Sequence, residues 1–174
     1  MPWLPFIALT LLVFFLMEGV AWWSHKYIMH GWGWDWHKDH HEPHDNKLEK
    51  NDLYAVVGSG VAIALFSVGW ATGIWWVYAI ATGITLYGAM YAFVHDGLVH
   101  QRWPFHFMPR NGYARRLVQA HKLHHAVQTK EDAVSFGFIF APDPKRLNAQ
   151  LKALRRARAE ARVAAQTGAE PPTA

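Results

Sequence analysis

Three long apolar runs alternate along the chain with polar stretches that carry the histidines. The first run, residues 3–23, reads WLPFIALTLLVFFLMEGVAWW and holds a single charge, Glu18. A helix of about 20 such residues crosses a hydrocarbon core. Two more runs, residues 54–71 and 74–93, carry no charge at all. Gly73 and its neighbours leave room between them only for a tight turn, so the pair predicts a helical hairpin. The first run has neither a basic start nor a small-residue cleavage site, and it reads as a span rather than a signal peptide.

Aromatic residues mark the ends of these runs, as they do at membrane interfaces: Trp3, Trp22, Trp23, Tyr54, Trp70, Trp75 and Trp76. Cations take one side. Lys26, Lys38, Lys47, Lys50, Arg102, Arg110, Arg115 and Arg116 flank the histidine-bearing ends, whereas no Lys or Arg precedes the first run or enters the Trp70–Trp76 turn. The positive-inside rule then puts every histidine cluster on the cytoplasmic face, in a bacterial inner membrane. A soluble, unusually aromatic helical core is the competing reading.

Gly31, Gly33, Pro43, Pro104, Pro109 and Gly112 break the polar parts into short helices and turns. Residues 115–126 read as a helix. Residues 134–140 are apolar but too short to span, and three placements fit them: re-entrant, interfacial, or over the polar lobe. Beyond Pro144 the chain turns basic and helical, with Leu147, Leu151 and Leu154 on one stripe. That stripe suits anionic lipid, an acidic partner, or plain packing on the domain. The expectation is an all-α integral membrane protein with about three to four transmembrane helices, its spans near 3–23, 54–71 and 74–93. His-rich parts at 25–53 and 95–142 form a cytoplasmic di-metal lobe, and a basic amphipathic helix at 144–163 completes one domain over 1–163. A disordered tail occupies 164–174.

With 174 residues and no cysteine, a thiolate metal site, a disulfide framework and a cysteine nucleophile are all excluded. Histidine is what remains, and ten of the twelve spell one pattern twice. His25 and His30 form HxxxxH and His37, His40 and His41 form HxxHH. His95 with His100, then His121, His124 and His125, repeat both. Imidazole in such number, with no thiolate and few carboxylates, points to borderline transition metals. On a helix HxxHH presents three rings in one direction. HxxxxH turns about 140° on a regular helix, so its two rings either reach different metals or sit where the helix ends or bulges. Ten rings exceed one ion's needs, and two metals with four or five histidines each is the economical count. His44 and His106 fall outside the pattern and read as packed or solvated residues.

Asp35, Asp39, Glu42, Asp96, Glu131 and Asp132 are candidates to accept the outer N–H of a ligating ring. Glu18 stands apart, two turns before His25 on nearly the same face. An ionisable group at that depth lines a substrate pocket, reaches toward the metal lobe, or bonds to the second span.

The order HxxxxH, HxxHH, HxxxxH, HxxHH resembles the membrane fatty acid hydroxylase and sterol desaturase superfamily of non-haem di-iron enzymes. The stretches KDHHEPHDNKLEKNDLYAVV, YAFVHDGLVHQRWPF and AHKLHHAVQTKEDAVSFGFIFAP are similar to its bacterial beta-carotene hydroxylases, from His25 to Pro142. The resemblance implies two irons on the ten histidines, with zinc able to replace them on purification, and hydroxylation of a beta-ionone ring by dioxygen. It also implies a carotenoid drawn from the bilayer and electrons from ferredoxin and its reductase. The chain has no glycine-rich nucleotide fingerprint of its own, in keeping with an external donor. No nucleic acid partner is expected.

The histidine motifs specify the oxidant and not the substrate, so a fatty acyl or sterol hydroxylase or desaturase is the first rival. A histidine-rich metal transporter would need ligands along its spans, and the two central runs offer none. A haem carrier would pair histidines across spans instead of gathering them at one face.

Overall fold

The computed structural model describes residues 2–42, 46 and 48–167, and every regular element among them is helical. Helix α1 (Trp3–Trp23) runs directly into a wider, π-helical segment (Ser24–Trp32), and α2 (Trp34–His41) follows. Helices α3 (Asp52–Thr72) and α4 (Trp75–Ala92) form the hairpin, and α4 runs into a second π-helical segment (Phe93–Val99). Two more helices, α5 (Gly112–His124) and α6 (Pro144–Thr167), complete the described chain.

Three stretches, Trp3–Trp32, Asp52–Thr72 and Trp75–Val99, are long and apolar enough to cross a membrane. Leu4, Leu12, Phe15, Leu16, Ile63 and Trp70 all lie largely exposed on them. A soluble core would bury such residues, so the soluble reading fails and lipid is the solvent that suits this surface. Gly73 closes α3 in a left-handed conformation, φ 69°, with its N–H on the Gly69 carbonyl at 2.8 Å. This is the tight turn expected between the second and third runs.

Helix α4 packs against both α1 and α3. Its buried Ala79 and Gly83 let α1 approach closely, and the Thr10 hydroxyl donates to the Ala79 carbonyl at 3.3 Å. The C-terminal ends of α1 and α4 and the N-terminal end of α3 meet at one polar lobe, built from both π segments, α2 and α5.

Helix α6 packs on α5. Leu147 and Leu151 are buried with Ala120, Val127, Val134 and Ala141, and Leu154 lies beside them. The leucine stripe is therefore used in domain packing. Arg155 donates to the Ala126 carbonyl, and Arg158 pairs with Glu131 and Asp132. The tail expected from residue 164 is still helical through Thr167, and residues 168–174 lie outside the described residues. Residues 134–141 are not helical; they form an irregular strap over the lobe, which selects that placement among the three.

A Cβ added at Gly83 would lie 2.7 Å from Val13 Cβ and 2.8 Å from the Thr10 carbonyl oxygen. Gly83→Val should therefore destabilise the α1–α4 contact by about 1–3 kcal/mol. Thermal unfolding in detergent checks this, and an unchanged midpoint would show that the two helices can part freely.

Candidate metal centre

His25 and His30 sit in the first π-helical segment, and His95 sits in the second with His100 as the residue that caps it. In the first, the backbone leaves helical geometry at Gly31, directly after His30 (φ −111°, ψ −124°); in the second, the His100 N–H reaches the His95 carbonyl at 2.9 Å, a bond that spans five residues instead of four. That widening brings residues five apart back to one side. Of the alternatives in the sequence, the bulge and the helix ending are both realised, and the two rings of each pair stay together. His25 and His30 serve one group of ligand atoms, and His95 and His100 serve another.

The HxxHH triplets behave otherwise than expected. His37 and His41 join the first group while His40 joins the second, and His121 and His125 join the second while His124 joins the first. A helix places i and i+4 on nearly one line but rotates i+3 to its other flank, and two adjoining groups exploit that offset. Each group thus takes a π-segment pair, an i/i+4 pair from one helix and a single ring from the other helix. Group one is His25, His30, His37, His41 and His124; group two is His40, His95, His100, His121 and His125. Within each, one ligand atom per residue lies within 4.8 Å of all the others. The groups adjoin: the rings of His41 and His125 stack across the boundary at 4.5 Å.

Seven rings have an acceptor behind them. His25, His30, His41 and His124 donate from Nδ1 to the carbonyls of Phe136, Lys130, Val127 and Val134, at 2.8–3.0 Å. His37 donates to Asn51 Oδ1 at 2.7 Å, His95 to Asp96 at 2.8 Å, and His40 to Glu49. An acceptor-only partner requires the hydrogen on Nδ1, so the Nε2 lone pair is free to face inward. All ten Nε2 atoms do face a neighbour in their own group, at 2.9–3.4 Å. Lone pairs packed this closely repel unless a cation lies among them. Nitrogens bound to a metal at about 2.0–2.1 Å and at right angles stand about 3 Å apart, which is the spacing found here. The donor set therefore fits a transition-metal ion in each group.

Burial keeps seven of these rings neutral. It lowers His37 to about 2, with Asn51 opposing the shift and His41 adding to it. It lowers His100 to about 2 as well, with His95 and Arg102 adding to it. His40, His41, His121, His124 and His125 are lowered for the same first reason. A neutral ring is the form that ligates.

Of the candidate carboxylates only Asp96 accepts from a ligating ring. Arg102 holds it from behind at 3.4 Å and grips Asp52 through both amino groups, at 2.8 and 2.7 Å. Those carboxylates raise Arg102 and keep it charged. Asp39 accepts from the Lys50 amide and Glu42 pairs with Lys38, while Glu131 and Asp132 pair with Arg158. Asp35 sits in the first turn of α2. Sequence reasoning missed Glu49, Asn51 and the four carbonyls. Only the position of Glu49 and Asn51, polar residues at the mouth of a span, could have signalled the first two. His106 is exposed and belongs to neither group, and His44 lies outside the described residues, as does Pro43. Glu18 bonds the hydroxyl of Tyr87, in the third span rather than the second, and the backbone of the strap.

Ten histidines gathered at one end of three spans define a membrane protein with two histidine groups able to hold metal ions. The chain matches the fatty acid hydroxylase family over residues 10–142, and it belongs to that family. Among curated proteins it is 59% identical to a beta-carotene hydroxylase from Pseudescherichia vulneris over 136 residues, covering 78% of this chain and 77% of the other. A beta-carotene hydroxylase from Pantoea ananas is 53% identical over 156 residues, 90% of this chain and 89% of that one. The chloroplastic beta-carotene 3-hydroxylase 1 of Arabidopsis thaliana is 37% identical over 72% of this chain and 41% of its own length. No solved structure matches.

The lowered histidines make the metal-free fold acid-sensitive. The folded form of His37 titrates near 2 and the unfolded form near 6.5, so the unfolded chain takes up the proton first. Stability is full above about pH 6.5 and falls below it, by about 2 kcal/mol at pH 5 for this one ring. Chelator-treated protein should unfold at a lower temperature at pH 5 than at pH 7, and equal midpoints would contradict the burial argument.

Proposed function

We propose that this protein is a beta-carotene hydroxylase that adds a hydroxyl to carbon 3 of each beta-ionone ring, taking beta-carotene through beta-cryptoxanthin to zeaxanthin. Two iron ions on the ten histidines and dioxygen as co-substrate complete the reading. The observation that carries it is the match to beta-carotene hydroxylases at 53–59% identity over most of the chain, joined to two five-histidine groups. The family's own description, fatty acid hydroxylase, keeps another lipid substrate as the second reading.

Bound iron would supply the dioxygen chemistry that an unactivated ring C–H requires, because such a carbon has no acidic proton for a base to take. His25, His30, His37, His41 and His124 would hold one ion, and His40, His95, His100, His121 and His125 the other. Zinc suits the same donors and would replace iron on purification. The residues around them orient and shield. The Nδ1 acceptors keep seven lone pairs aimed inward, and Phe136 and Phe138 pack against the rings from the strap and exclude water. The lobe lies at the ends of the spans, so a long apolar substrate reaches it from the bilayer.

Hydroxylation by dioxygen consumes two electrons from outside. The chain has no nucleotide-binding turn, so ferredoxin with its reductase is the donor in this reading. The Lys and Arg distribution supports a cytoplasmic lobe at a bacterial inner membrane.

Expression in cells that accumulate beta-carotene tests the proposal. Aerobic cultures should convert the pigment to zeaxanthin and anaerobic ones should not. His41→Ala and His124→Ala should each reduce conversion to background while the protein stays in the membrane. Full conversion by either variant would remove that histidine from the metal set, and unchanged beta-carotene in air with reductant present would favour another lipid.

A further inference from the structure

Glu18 is the one charge inside the first apolar run, and its carboxylate receives four donors from distant parts of the chain. The Tyr87 hydroxyl donates to Oε2 at 2.8 Å. The successive amides of Phe138, Ile139 and Phe140 donate to Oε1 at 3.0, 3.1 and 2.9 Å, and Ile139 also reaches Oε2 at 3.1 Å. Three consecutive strap amides thus find their acceptor in a membrane span, where water is scarce and an unpaired N–H is costly.

The same strap orients the metal centre. Four residues before the first of these amides, the Val134 carbonyl accepts from His124 Nδ1 at 2.9 Å, and two residues before it the Phe136 carbonyl accepts from His25 Nδ1 at 3.0 Å. Both histidines belong to group one. Ser135, between the two carbonyls, has φ 62°, a conformation a non-glycine residue keeps only where its surroundings enforce it. The ring of Phe138 stacks on His25 at 5.1 Å and 9°. Gly137 passes so close to the carboxylate that a Cβ there would lie 2.6 Å from Glu18 Oε1.

We propose that Glu18 is a positioning residue of the first histidine group, acting from within the membrane span through the 134–140 strap. Removing the carboxylate orphans three amides and frees the strap, and His25 and His124 then lose the acceptors that fix their tautomer and aim. Group two keeps its own supports, Asp96 behind His95 and Glu49 behind His40. A role confined to helix packing would instead affect both groups alike through stability. The inference rests on the reading of the groups as metal sites.

The test loads purified wild type, Glu18→Ala, Glu18→Gln and Gly137→Ala with ferrous iron in detergent, and measures iron per chain, Mössbauer spectra and unfolding temperature. Glu18→Ala and Gly137→Ala should weaken iron binding about tenfold at one site and spare the other. Glu18→Gln should retain more iron at that site than Glu18→Ala, because its oxygen still accepts the three amides, although its amino group faces the Ile139 N–H that Oε2 also accepts. Wild-type iron at both sites in Glu18→Ala, or equal loss at both with a fallen unfolding temperature, would overturn the proposal. Gly137→Ala changes no residue of the span, disturbs the strap where it meets the Glu18 carboxylate, and decides the matter if Glu18→Ala does not accumulate. Wild type that binds no iron would instead defeat the metal reading, and this inference with it.

Discussion

Neutral imidazoles whose lone pairs face one another at about 3 Å form the arrangement on which the rest of this structure depends. Such a cluster is favoured when acceptors behind the rings hold the hydrogen outward, as they do for seven of the ten, and it suits a cation in front. The first requirement explains features that otherwise look unrelated. It accounts for polar Glu49 and Asn51 at the mouth of a span, for Asp96 held by Arg102, and for a loop whose carbonyls point at rings instead of at their own amides. It also explains why the amides of that loop must be satisfied by a residue as remote as Glu18.

The spans supply the frame for this cluster. Small residues on α4 bring α1 close, so the C-terminal ends of these two helices, which widen into π segments, emerge side by side. A continuous α-helix would have turned His30 away from His25, and His100 away from His95. Widening by one residue per turn costs some hydrogen-bond geometry and restores a shared direction, in keeping with the frequent placement of π-bulges at functional sites.

Much of this was legible in the chain. The spans, the Gly73 turn and the membership of the ten histidines follow from hydropathy and spacing, because length and periodicity are local properties. The number of groups also followed, from the coordination limit of a single ion. The split of each HxxHH triplet did not, since it depends on where two helices stand relative to each other, and no spacing within one helix records that. The carbonyls of Val127, Lys130, Val134 and Phe136 were invisible for a simpler reason: every residue has one, and only the fold selects which are used. Glu18 announced itself as an oddity. Its partners, Tyr87 and the strap amides 120 to 122 residues away, could be found only in three dimensions.

The exchange of one ring between the two helices has a consequence for assembly. Because His40 crosses to the set built on α5, and His124 to the set built on α2, neither repeat of the pattern contains a complete group. The two halves are not separate one-metal modules laid end to end. Each is a half-finished container that only its counterpart can close, so neither pocket is complete until synthesis has passed residue 125. The helices that frame one pocket, α2 and α5, also frame the other, so the two share their walls.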